Sequence, residues 1–260
     1  MKTIAIMNVK GGVGKTITAC NMAHILAKDY NQRVLLIDAD PQGDSSEFYG
    51  VSAEDGGITE LLMGARPEYA ELIYDTEYPH LQVLPADSSL FTLDLDAVSG
   101  AAADYTAQIA MLRDHCAEHE LYDLLLIDCP PSFTPSAIAA LRAADSVIIP
   151  VKMDAFSVRG MEFLLNQIAM VHRINGAARL EGVLVTIWHN CDVCAQLEAK
   201  LRSTGIRIFN THIRRSDMAD ESTIAREPIR EYSARCAAAQ DYRDFVSEFV
   251  KTGGLHNGKI

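Results

Sequence analysis

Hydrophobic residues in this chain fall into two kinds of run. Seven short stretches are apolar almost throughout: residues 3–9, 33–38, 81–85, 123–128, 146–151, 182–188 and 207–213. Most lack alternation with polar residues, which suits strands buried on both faces of a parallel sheet. Between them, residues 16–28, 106–119, 135–143, 158–171, 194–201 and 234–250 carry apolar positions at helical spacing. Strands alternating with helices predict right-handed βαβ units and an α/β fold: a single doubly wound, mostly parallel sheet flanked by helices. In such a sheet ligands bind at the C-terminal strand ends. No linker or internal repeat interrupts the pattern, so residues 1–251 read as a single domain. Residues 252–260 read as a flexible tail.

Composition narrows the class. The 260 residues are 48% hydrophobic and 22% charged, as in ordinary globular proteins. The net charge of −12 does not point to nucleic-acid binding, which then requires a local basic patch. No run is long and apolar enough to span a bilayer. The N-terminus reads as strand and loop with no secretory segment, so a cytoplasmic location is expected, with the six cysteines as reduced thiols.

The strongest chemical signal is Lys10-Gly11-Gly12-Val13-Gly14-Lys15-Thr16, between a predicted strand and a predicted helix. Glycines let backbone N–H groups curl around an anion. The following helix aims its positive dipole end at the same place. Such a loop cradles nucleotide phosphates, with Lys15 on the β- and γ-phosphates and the Thr16 hydroxyl on Mg²⁺. The strict Walker spacing asks for Gly where Val9 stands, and Lys10 is an extra lysine. Two apolar strands then end in carboxylates: residues 34–43 read VLLIDADPQG and residues 124–132 read LLLIDCPPS. Asp38, Asp40 and Asp128 therefore lie at the strand edge where the phosphates are expected. A carboxylate there holds Mg²⁺, directly or through water, or orients an attacking water.

The loop KGGVGKT resembles the deviant Walker A loop of the ParA/MinD/nitrogenase-iron-protein family of P-loop ATPases, and the chain is most similar to ParA/Soj-type partitioning ATPases. The resemblance covers residues 2–250 and is strongest up to Val151. It implies ATP and Mg²⁺ as cofactors, with ATP held by residues 10–17 (Lys10, Gly11, Gly12, Val13, Gly14, Lys15, Thr16 and Ile17). It implies that Lys10 reaches the phosphates of the other subunit in an ATP-bound homodimer. DADPQG resembles the family's first switch segment, in which Asp40 positions the hydrolytic water and Asp38 supports the Mg²⁺ shell. DCPPS resembles the second, with Asp128 on that shell. Lys10, Lys15 and Asp40 are thus the implied catalytic residues, and Thr16, Asp38 and Asp128 the implied metal site. The family function is DNA segregation: non-specific DNA binding by the ATP dimer and hydrolysis stimulated by a ParB-like centromere-binding partner.

Three positions depart from the family pattern. Ile17 stands where partition ATPases have a second hydroxyl, a loss of about 1 kcal/mol of hydrogen bonding. Arg214 replaces a proline beside the adenine. Cys191 and Cys194 form a C-x-x-C, open to three readings: helix-start cysteines with Asn190 or Asp192 as cap, a zinc or redox pair, or half of an iron–sulfur site shared across a dimer. An iron–sulfur carrier ATPase and a MinD-like division-site regulator are therefore kept as alternatives. The first predicted strand stands close to the N-terminus, and no helix-turn-helix extension ahead of it is expected.

Residues 196–235 hold eight Lys/Arg against six Asp/Glu, net +2, which leaves −14 elsewhere. Lys200, Arg202, Arg214, Arg215 and Arg226 are the candidate phosphate contacts for DNA. The competing reading is a solvated helix face with local pairs such as Glu227 with Arg230 and Glu231 with Arg235. The last helix is amphipathic but acidic on its polar face. It is expected to pack Phe245 and Phe249 on the sheet rather than bind a membrane.

Overall fold

The computed structural model describes residues 1–54, 56–64, 69–100, 105–153 and 158–254. Within them lies an eight-stranded sheet. Its strands are β1 (Lys2–Ile6), β2 (Val34–Asp38), β3 (Tyr74–Asp75), β4 (Leu81–Leu84), β5 (Leu124–Asp128), β6 (Ser146–Lys152), β7 (Arg179–Trp188) and β8 (Ile208–Arg214), in spatial order β3-β4-β2-β5-β1-β6-β7-β8. Every neighbouring pair is parallel except β3 with β4. This is the doubly wound arrangement expected from the sequence, with a short antiparallel edge strand that the apolar runs did not signal.

Successive side chains of a strand point to opposite faces, and here both faces are apolar. Ile4 and Ile6, Val34 and Leu36, and Leu124 and Leu126 feed one core with α1 (Lys15–Tyr30), α2 (Asp44–Phe48), α10 (Ile229–Tyr232) and α11 (Ala237–Phe249). Ala5, Leu35, Ile37, Leu125 and Ile127 feed the other. There they meet α3 (Ile58–Leu62), α4 (Ser89–Ser99), α5 (Gln108–Glu118), α6 (Pro135–Ala143), α7 (Val158–Ile174) and α8 (Asp192–Arg202). Phe245 and Phe249 of α11 are fully buried, as their spacing implied. The remaining helix, α9 (Asp217–Ala225), follows β8. Winding continues past α11 from Val250 and is broken at Gly253, whose φ is +84°, and residues 255–260 of the expected tail lie outside the described residues.

Three local expectations are corrected. Arg230 pairs with Asp29 at 2.6 Å and Glu231 with Lys28 at 2.6 Å, so these charges tie α10 to α1 rather than pairing within their own segment. The N-cap of α8 is Cys191, whose Sγ accepts the Cys194 N–H at 3.2 Å, in place of Asn190 or Asp192. Cys191 and Cys194 are joined as a disulfide, in place of two thiols, whereas Cys20, Cys116, Cys129 and Cys236 are free.

Two buried positions yield predictions. A Cβ on Gly182 of β7 would lie 2.7 Å from Cε2 of Phe209 on β8, itself fully buried. Gly182→Ala is expected to cost about 1–3 kcal/mol, read by urea unfolding. His24 of α1 is fully buried, 3.3 Å from Glu231 Oε1, with no hydrogen bond to either ring nitrogen. Burial lowers its pKa to about 4, although Glu231 pulls the other way. The unfolded chain takes up this proton near pH 6.5, before the folded one does. The stability that neutral His24 preserves is therefore complete above pH 6.5 and lost as pH falls towards 4. His24→Leu is expected to reduce the loss between pH 7 and pH 5 by on the order of 1–2 kcal/mol; an unchanged pH slope in urea unfolding would disprove it.

Candidate functional site

The loop after β1 is tethered before it turns. Asn8 Nδ2 donates to the Pro150 carbonyl at 2.7 Å, and Asn8 Oδ1 accepts the Lys10 N–H at 2.9 Å. Gln167 of α7 accepts the Val9 N–H at 3.3 Å and donates to Asn8. Gly12 and Gly14 have φ of +67° and +79°, the left-handed region that glycine enters without strain. Gly14 is also the N-cap of α1, whose first turn holds no acidic residue. The opening amides of the helix and its dipole therefore face the loop without a competing carboxylate.

Asp38 and Asp128 are in register on the neighbouring strands β2 and β5, and both are fully buried. They are treated differently. Asp38 Oδ2 accepts the Ser46 N–H at 2.9 Å and the Ser46 hydroxyl at 2.7 Å, and Oδ1 accepts the Asp40 N–H at 3.1 Å. Burial nevertheless raises its pKa above the usual carboxylate range. Both oxygens of Asp128 are sealed from solvent and neither makes a hydrogen bond of good geometry. Burial, then the neighbouring Asp38, push its pKa well up; Thr16 and Lys15 offset part of that. Asp40 is held at Oδ1 by the Gln42 N–H at 3.0 Å, and burial raises its pKa against the pull of Lys15.

The phosphate loop and Asp40 line a cleft of about 980 Å³ at the C-terminal strand ends, while Asp38 and Asp128 are buried and do not line it. Gly11, Gly12, Gly14, Lys15, Thr16 and Ile17 line one part of it, with Asp40 opposite. Lys15 is nearly buried and Lys10 is exposed beside it. Buried carboxylate oxygens without donors, beside a lysine, a hydroxyl and an amide-rich helix start, suit a hydrated divalent cation carried by a polyphosphate. Thr16 and Asp128 fit the role of holding Mg²⁺. Asp38 has most of its acceptor capacity committed to Ser46 and Asp40, so it fits better as the group that shapes the segment carrying Asp40.

Thr186, Ile187, Ile213, Arg214, Arg215 and Ser216 also line the cleft. Arg214 is forked onto the nearly buried Asp241, with Nη2–Oδ1 2.6 Å and Nε–Oδ2 2.8 Å, and its own N–H also meets Oδ2. The substitution for proline is thus locked in place by α11. Of the five expected DNA contacts, Arg214 is held in this way. Arg202 is bound to Glu198 at 2.7 Å and to the Phe209 carbonyl, and Arg226 is paired with Glu47. Lys200 and Arg215 are exposed with no ion pair among the described residues. The sequence pattern showed the arginines but not the carboxylates that other elements bring to them.

Sequence reasoning also missed three groups that shape the site. Ser46 bridges Asp38 and the Ala86 N–H, which it accepts at 3.0 Å. Thr186 Oγ1 lies 2.8 Å from the Val13 carbonyl, to which it donates, and 3.1 Å from that of Val151. Ile187 sits at φ +51°, strained for a β-branched residue and placed at the cleft wall. The signal for Thr186 was a single hydroxyl inside an apolar strand run.

A family model described as an AAA domain matches residues 1–179. The chain is similar to the chromosome-partitioning ATPase Soj of Thermus thermophilus, at 37% identity over 96% of each sequence. It is similar to the chromosome partitioning protein ParA of Caulobacter vibrioides, at 32% identity over 96% of this chain and 94% of that one. A Cyanothece McdA–ATP complex superposes with a TM-score of 0.80 at 23% identity, covering 100% of this chain and 99% of the other.

Thr186→Val removes a buried donor to the phosphate loop and leaves the Val13 carbonyl short of a partner. A stability loss of about 1–3 kcal/mol is expected, together with several-fold weaker binding of Mg·ADP in calorimetry. Unchanged affinity would free the loop from this anchor.

Proposed function

The chain belongs to the ParA/Soj family of partitioning ATPases, and from that membership we propose that it is an ATP- and Mg²⁺-dependent DNA segregation ATPase. Two ATP-bound copies would associate, hold DNA without sequence preference, and release it when a ParB-like centromere-binding partner stimulates hydrolysis. The observation that carries this reading is Asp128, buried with both oxygens short of donors beside Lys15 and Thr16. Bound Mg²⁺ supplies charge neutralisation for the β- and γ-phosphates. The chain supplies the rest. The amides of residues 11–16 hold the phosphates, Lys15 neutralises them, and Asp40, fixed at one oxygen by Gln42, orients the attacking water through the other. Asp38 keeps Asp40 in position through Ser46 and the backbone of its own loop.

Lys10 is exposed at the mouth of the loop, where it can reach the phosphates of a second subunit. For DNA, Lys200 and Arg215 support phosphate contact better than Arg202, Arg214 and Arg226, which carboxylates already hold. No helix among the described residues is long and apolar enough to cross a membrane. A cytoplasmic, nucleoid-associated protein is the location that fits.

DNA retention on a sensor surface, in ATP or ADP and across a salt series, tests the proposal. Retention is expected only with ATP, on any sequence, and with steep loss in salt. ATP-bound dimers that ignore DNA would overturn it. In the same format Asp40→Ala is expected to bind ATP, remain on DNA and lower turnover at least 100-fold. Wild-type turnover in that variant would remove Asp40 from the chemistry.

A further inference from the structure

We propose that Cys191 and Cys194 form a dithiol–disulfide exchange site for small-molecule thiols of the glutathione class. The site stands apart from the phosphate loop, and its chemistry does not depend on the partitioning role.

The pair is asymmetric. Cys191 is exposed, as are Asp192 and Val193, whereas Cys194 is only 8% exposed and packs in the hydrophobic core. An incoming thiol therefore reaches one sulfur and not the other. The Cα atoms stand 5.3 Å apart, within the ordinary range for a bridge. The other four cysteines lack this arrangement. Cys20, Cys116 and Cys129 are fully buried, and Cys236, though partly accessible, is bonded to no second sulfur.

The position on the fold suits exchange. Cys191 is the N-cap of α8, a helix of 11 residues, and its Sγ accepts the Cys194 N–H at 3.2 Å. When the bridge opens, negative charge on that sulfur faces the amide-rich end of the helix and keeps a donor already in place. Asp192, the acidic residue of the same turn, opposes that charge from an exposed side chain screened by water and salt. Thiolate so held is both the form that attacks a disulfide and a ready leaving group.

Two other uses of the pair are less well supported. No third His, Cys, Asp or Glu among the described residues stands with it to complete a metal-binding group. A structural bridge stabilises most by closing a long loop, and this one spans a sequence separation of 3. It ties the start of α8 to itself and joins no other element. Among reducing thiols a bridge of this kind is usually transient.

In the oxidising direction, the Cys191 thiolate attacks one sulfur of glutathione disulfide. The S–S bond of that molecule breaks, one glutathione departs as thiolate, and Cys191 carries a mixed disulfide. The Cys194 thiolate then attacks the Cys191 sulfur and expels the second glutathione. Two electrons pass from the cysteine pair to glutathione disulfide, and the two thiol protons end on the two glutathiones released. Reduction retraces these steps, with glutathione attacking the accessible Cys191 sulfur and Cys194 leaving first.

The test uses the full chain carrying Cys236→Ala, so that the pair supplies the only accessible sulfurs. Oxidised and reduced samples are equilibrated in graded mixtures of glutathione and glutathione disulfide, quenched with iodoacetamide and read by intact mass. A single two-thiol transition is expected, at the same mixture from either starting state. Trp188, the sole tryptophan, ends β7 three residues before Cys191, and its fluorescence is expected to follow the same transition. Cys194→Ser is expected to accumulate one glutathione adduct. Cys191→Ser, which leaves only the buried sulfur, is expected to form its adduct at least about tenfold more slowly. A pair that stays bridged in excess glutathione is a structural staple, and that result would overturn the proposal. So would a pair that stays reduced in excess glutathione disulfide, equal adduct rates in the two single variants, or stoichiometric zinc or iron that co-purifies with the chain and blocks exchange.

Discussion

Two carboxylates buried side by side, on adjacent strands and in register, set the terms for everything around them. Left without compensation, such a pair is too costly for a folded chain to retain. The cost is met unequally. Asp38 is satisfied from within by Ser46 and the Asp40 amide, and this fixes the path of residues 39–46 and the start of α2. Asp128 is left facing Lys15 and Thr16 with its oxygens short of donors. One half of the pair is thus spent on architecture and the other is left short of partners. The phosphate loop, the segment carrying Asp40 and the foot of α4 are all arranged around that division.

Much of this was legible in the sequence because the physics is local. Unbroken apolar runs marked seven of the eight strands, since a strand covered on both faces has no polar side to show. The phosphate loop was legible because glycines at 12 and 14 are needed for backbone angles, whatever packs nearby. α6 was bounded correctly at residues 135–143 by its proline start. α4 was not found: Leu93-Asp94-Leu95-Asp96 alternates with period two, and nothing local says that Asp94 is buried against Ser136 while Leu95 is exposed. α2, α3, α9 and α10 are short, and their boundaries come from the loops they close.

What stayed hidden was the pairing of distant charges. A basic segment near the C-terminus suggested a DNA surface, but a count of arginines does not reveal Asp241 or Glu47 waiting on other elements. The same holds for Arg230 and Glu231, which cross to α1 instead of neutralising their neighbours. Partners three or four residues apart can be proposed from spacing. Partners about 180 residues apart, as Arg226 and Glu47 are, follow only from the topology. The site's core was therefore readable and its electrostatic surroundings were not.

The position of β1 bears on how the protein is made. Of the eight strands this one is made first, yet it lies fifth in the sheet between β5 and β6. The loop that follows it is steadied by the Pro150 carbonyl, Gln167 and finally Thr186. A chain made only as far as α1 thus carries the KGGVGKT segment with none of these three anchors in place. The loop's full set of anchors exists only after β7, which carries Thr186, has been synthesised. A well-shaped nucleotide cradle is consequently deferred by topology until β7 is in place.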